Sequence, residues 1–80
     1  MSKKKKTMGE MIRWAREKKD MTQTDLGHAL GITNAASAQV MVSKWERDTA
    51  FPETHVLGLI EVLGLPKKVV GEMVLVHLSC

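Results

Sequence analysis

The side chains best arranged for chemistry lie at positions 37–47, in the run Ser-Ala-Gln-Val-Met-Val-Ser-Lys-Trp-Glu-Arg. Read as a helix with Ser37 as its N-cap, this run puts Ala38, Met41, Val42 and Trp45 on one apolar stripe. Gln39, Val40, Ser43, Lys44 and Arg47 fall on the other side. Such types suit the edges of base pairs rather than bond making. A Gln pairs bidentately with adenine, Ser donates or accepts, Lys reaches guanine or phosphate, and Val packs on a thymine methyl. An ordinary solvated face accounts for Ser43 and Lys44 without strain, but it explains an outward Val40 less well.

Catalysis has no candidate residues. There is no Ser-His-Asp order, no Gly-rich phosphate loop and no cluster of carboxylates. His28, His55 and His77 are dispersed with no second ligand at metal spacing, so packing or solvent roles are expected and neither a metal nor a cofactor is called for. The six methionines read as core filler.

The elements that must carry the polar face are helices almost throughout. Thr7 caps a first helix in which Met8, Met11, Ile12 and Ala15 recur at helical spacing, and Asp20 ends it. Thr22 caps a second, with Asp25 as the capping-box acid and Met21 placed to staple onto Leu26. That start puts Thr22 and Gln23 on a first turn whose outward N–H groups suit a phosphate. Leu30-Gly31-Ile32 supplies the helix end. Phe51-Pro52 breaks the chain after the third helix, and Glu53 to Leu63 gives a fourth with Val56, Leu59, Ile60 and Leu63 inward. Gly64 and Pro66 close it.

The tail is ambiguous. Val69, Val70, Met73, Val74 and Val76 fit a fifth helix, which is favoured, whereas Val74-Leu-Val-His-Leu78 is β-branched enough for a short strand. Val70, Met73, Val74, Val76 and Leu78 are the apolar set not needed by a four-helix core, and a second copy of the chain is the expected cover.

Eighty residues with 44% hydrophobic content bound one small core. Cys80 is the single cysteine, which leaves no internal disulfide and points to a reducing compartment, the cytoplasm. No apolar run approaches a membrane span. The net charge of +3 is uneven: residues 1–20 carry eight basic and three acidic side chains, and the remainder sums to −2. Lys3, Lys4, Lys5 and Lys6 repel one another, so residues 1–6 read as a disordered arm, either a solubility tail or a strand of charge that lies along phosphates. The expected organisation is this arm, a DNA-binding domain over 7–65 and an apolar dimerising segment over 66–80.

Three pieces together resemble a known family. Ile12-Arg-x-x-Arg16, then Met-Thr-Gln23-x-x-Leu26-Gly-x-x-Leu30-Gly-Ile32, then Val42-Ser-Lys-Trp45-Glu-Arg47 followed by Pro52, is similar to the Cro/C1-type helix-turn-helix domain of phage and bacterial repressors. The resemblance spans about residues 8–65. It implies an all-α, five-helix bundle of the lambda-repressor-like type, with Gln23 on a backbone phosphate and Gln39 at the head of the recognition helix. It also implies that Arg16 pairs with Glu46, and the lysine arm resembles the one with which lambda repressor wraps its operator. The chain departs from the pattern by about five extra residues between Ile32 and Val42. They are placed here in 33–37 as a longer turn; the alternative is a recognition helix extended backward from Thr33 or Asn34.

Two functions fit these features. One is a dimeric repressor that binds a palindromic operator in double-stranded DNA. The other is an antitoxin-like interaction module whose partner is a protein, a toxin or an antirepressor.

Overall fold

A computed structural model describes residues 7–79, in which five α-helices and one 3₁₀ turn follow one another with no strand among the described residues. The first helix, α1 (Met8–Lys18), starts where the sequence says it should. The Thr7 hydroxyl accepts from the Glu10 N–H at 3.1 Å, and the Glu10 carboxylate accepts from the Thr7 N–H at 3.0 Å. The same reciprocal pair recurs between Thr22 and Asp25 at the head of α2 (Gln23–Ala29). The Thr22 backbone N–H, and then its side chain, hold the Asp25 carboxyl below its ordinary range. This contribution to α2 is therefore present at neutral pH and fades as pH falls through that depressed value.

Helix ends are equally specified. Ile32 N–H donates to the Gly27 carbonyl and Gly31 N–H to that of His28, both at 3.0 Å, with Gly31 at φ 94°. This is the doubled Schellman closure that sets a sharp turn. The first and third helices end by the same hydrogen bonds, but with Asp20 (φ 56°) and Asp48 (φ 58°) at the left-handed position. Aspartate tolerates that region better than most side chains do, and Asp48 has a compensating role. Its carboxylate accepts from the Thr7 hydroxyl at 2.7 Å and from the Gly9 N–H at 3.1 Å, so the end of the third helix caps the start of the first.

The third helix, α3 (Ala35–Glu46), corrects the expected boundary. Its N-cap is Asn34, whose Oδ1 accepts from the Ser37 N–H at 2.9 Å, so Ser37 lies inside the helix. Most of the insert therefore extends the helix backward instead of lengthening the turn. Asparagine caps as well as serine does, and the earlier of two competent caps is the one used.

After a 3₁₀ turn (Glu53–His55), α4 (Val56–Leu63) ends at Gly64 in the left-handed conformation, and α5 (Lys67–Ser79) completes the chain. The tail is thus a helix, not a strand. Ile12, Leu26, Val42 and Leu59 are fully buried, and Trp45 and Leu63 nearly so. Val70, expected at an interface between copies, is 1% exposed inside this core and cannot serve there. Met73 and Val74 are partly buried against the same cluster. Val76 and Leu78 remain on the surface. Stacking of His77 on Phe51 (4.1 Å between ring centres) and its 2.6 Å contact with Glu53 hold the far end of α5.

Two close approaches set how the helices cross. A methyl group on Gly27 would run into Ala38, and one on Gly9 into the carbonyl oxygens of Trp45 and Glu46. Beside these contacts sits the ion pair between α1 and α3. Arg16 Nε is 2.6 Å from Glu46 Oε2 and Nη2 is 3.1 Å from Oε1, with the two side chains only 12% and 4% exposed. The hydrogen bond to Glu46 raises the Arg16 pKa above its ordinary value.

Removing the cation strands a carboxylate in a nearly dry site, which typically costs about 3–5 kcal/mol. Arg16→Met is expected to lower stability by that order in urea unfolding, a large part of what a domain this small has. An unchanged unfolding midpoint would contradict the burial of the pair.

Candidate nucleic-acid interface

On α3 the buried side is fixed by Ala38, Val42 and Trp45. At about 100° per residue, Val40, Ser43 and Arg47 lie opposite them, with Gln39 and Lys44 on the two flanks. Gln39, Lys44 and Arg47 are exposed, and Val40 is 50% exposed. Ser43 is only half open, beside Arg47, whose Nε donates to the Ser43 carbonyl at 3.3 Å. The added first turn also brings Ala35, Ala36 and Ser37 to the surface as part of the helix.

A recess of about 410 Å³ borders this face, lined by Arg16, Thr22, Gln23, Thr24 and Gln39 together with Asp20 and Met21. The turn between α1 and α2, the first turn of α2 and the front of α3 thus meet at one place. The structure brings Thr22, Gln23 and Gln39 together there. Val40, Ser43, Lys44 and Arg47 continue away from it along α3. The lysines at positions 3–6 lie outside the described residues.

Hydrogen bonds fix the floor of the recess. Arg16 Nη1 donates to the Met21 carbonyl at 2.7 Å, which anchors the turn, while its other nitrogens hold Glu46. Gln23 Nε2 donates to Glu46 Oε1 at 3.2 Å. A buried carboxylate therefore joins α1, α2 and α3. The guanidinium is largely satisfied by protein acceptors and Asp20 adds an exposed carboxylate, so the groups of the recess able to donate to a ligand are neutral amides and hydroxyls. Such groups bind phosphate oxygens by donating hydrogen bonds, and they contribute no counterion release.

From the sequence, Asn34 is named only in the alternative of a backward-extended helix, and neither Asp48 nor the contact of Gln23 with Glu46 is singled out. Asn34 was legible as a competent cap. The other two are contacts between residues 41 and 23 positions apart, for which the sequence carries no local signal.

The larger groove, about 710 Å³, lies between α1, the segment after α3 and α5, with Met8, Met11, Phe51, Val69, Met73 and Val76 among its walls. Its lining is mainly apolar, with Asp48, Glu72 and His77 as its polar members. No helix of the described residues is long and apolar enough to cross a membrane.

Among curated proteins and among solved structures, no match to the chain was found. The helix-turn-helix family profile, in contrast, matches residues 12–69, which takes in the greater part of α1, all of α2 to α4 and the start of α5. Capped helices meeting at a Gly31 turn, a polar outer face on the second of them and this profile agree, and the chain belongs to the Cro/C1-type helix-turn-helix family of DNA-binding transcription regulators.

Proposed function

We propose that the chain is a transcriptional repressor of phage or prophage type, which binds a palindromic operator as a two-fold dimer and acts in the cytoplasm. The observation that carries this reading is the open face of α3, where Gln39, Val40 and Lys44 stand free of the core beside a recess holding Thr22 and Gln23. In this reading α3 lies in the major groove, Gln39, Val40, Ser43 and Lys44 meet base edges, and Thr22, Gln23 and Arg47 meet the backbone. Gln39→Ala is expected to lose about 1–3 kcal/mol on the cognate site and to relax discrimination at one base pair. Equal losses on cognate and random duplexes in a binding assay would remove Gln39 from the reading set.

Lys3, Lys4, Lys5 and Lys6 supply the long-range attraction. Without residues 1–6 the chain has eight basic and nine acidic side chains, a net charge of −1. Deleting the arm should therefore flatten the dependence of log K on log salt by up to about 0.9 for each phosphate that the lysines had neutralised. An unchanged slope would leave the arm without a DNA role.

Dimerisation is assigned to the outer side of α5. With Val70 in the core, the exposed apolar residues there are Leu75 (67%), Val76 (64%) and Leu78 (69%), and the partly buried Met73 and Val74 border them. One recognition helix reads only a few base pairs, so affinity above the non-specific background calls for two copies on one face of the duplex. The intact chain should protect two half-sites about 34 Å apart. Leu75→Asp with Leu78→Asp should give a folded monomer by sedimentation that protects one half-site weakly. An intact chain that stays monomeric at high concentration and on DNA would refute the dimer.

A further inference from the structure

The contact between Gln23 and Glu46 bears on how the interface works, given the proposal that Gln23 meets the DNA backbone. A glutamine amide presents a donor and an acceptor in one plane, and only the donor is attractive to a phosphate. The last torsion of a free glutamine is broad, so an unrestrained amide turns its oxygen toward the ligand about as readily as its nitrogen. Here that torsion is restrained. Gln23 Nε2 donates one of its two hydrogens to Glu46 Oε1 at 3.2 Å. Glu46 is itself immobile: its side chain is 4% exposed, and it is gripped at both oxygens by Arg16, at 2.6 and 3.1 Å. Gln39, Thr22 and Thr24 line the same recess as Gln23, as does the carboxylate-bearing Asp20.

We propose that Glu46 is a positioning residue for DNA binding: by accepting one Gln23 N–H it fixes the nitrogen end of the amide so that the second N–H is presented to a backbone phosphate. Arg16 serves the same arrangement by holding Glu46, not by meeting the phosphate itself. A negatively charged side chain so close to a polyanion is otherwise unfavourable, and its pairing with Arg16 offsets its charge. The ion pair then has two separable effects. One joins α1 to α3, and the other aims a donor that lies on α2.

The two effects separate in a double-mutant cycle on the full-length chain. The probe is the duplex that the wild-type protein selects from a random-sequence pool. Glu46→Asp retains the charge that Arg16 needs but withdraws the carboxylate from Gln23. Gln23→Ala and Glu46→Asp are each expected to weaken binding about ten- to hundredfold, the size of one hydrogen bond to a charged group. The double variant should bind no more weakly than either single one, while the melting temperature falls with Glu46→Asp in both backgrounds. Losses that multiply in the double variant, or full affinity in Glu46→Asp, would overturn the proposal. Full affinity in Gln23→Ala would remove the contact of Gln23 with DNA and this proposal with it.

A measurement on the unmodified protein covers the case in which Glu46→Asp fails to fold. In side-chain amide NMR, one Gln23 proton should already resonate as hydrogen-bonded in the free protein, and the other should shift on saturation with the duplex. Two equivalent, freely exchanging Gln23 protons in the free protein would overturn the proposal.

Discussion

Two opposite charges are held almost out of water where α1 meets α3, and the placement of the open face of α3 follows from them. A guanidinium and a carboxylate in a low-dielectric site need each other's full hydrogen-bonding capacity, which leaves Arg16 and Glu46 one mutual geometry. The remaining Arg16 nitrogen takes the Met21 carbonyl, so the turn into α2 is set by the same side chain. Such a pair adds little net stability over a well-packed apolar one. What it adds is direction: α3 cannot rotate about its axis without breaking both bonds, and its outward side chains therefore keep one aim.

Around that fixed point the termini close on one another. Asp48, in a left-handed conformation at the end of α3, caps α1 through Thr7 and Gly9. The start of α1 is thus held beside the end of α3.

Local chemistry made most of the fold legible. Thr7 with Glu10 and Thr22 with Asp25 announce two helix starts, Gly31 and Gly64 two ends, and the spacing of Met8, Met11, Ile12 and Ala15 the buried side of α1. Legibility failed where two local solutions were equally good. Asn34 and Ser37 are both competent caps, and only the hydrogen bond from the Ser37 N–H decides between them. It failed again where periodicity cannot say what an apolar side faces. Val70 sits at helical spacing in either case, and in the fold it faces its own core. At the interface, the outward residues of α3 could be read from the pattern of its helix. The link of Gln23 to Glu46 could not, because it depends on the crossing of two helices.

The crossing of α2 and α3 rests on Gly27 against Ala38, a contact made by a hydrogen and a methyl group with no specific hydrogen bond. Neither residue is exposed, and neither faces the side on which Gln39, Val40 and Lys44 stand. This close approach of the two helices is therefore independent of the outward side chains of α3, although Gln23 and Glu46 link them as well. A lineage of such chains could exchange one operator for another by altering three or four outward side chains while the docking of the helices stayed the same, whereas a single added methylene at position 27 would disturb every target alike. The smallest side chains of the domain thereby separate the evolution of address from the maintenance of the fold.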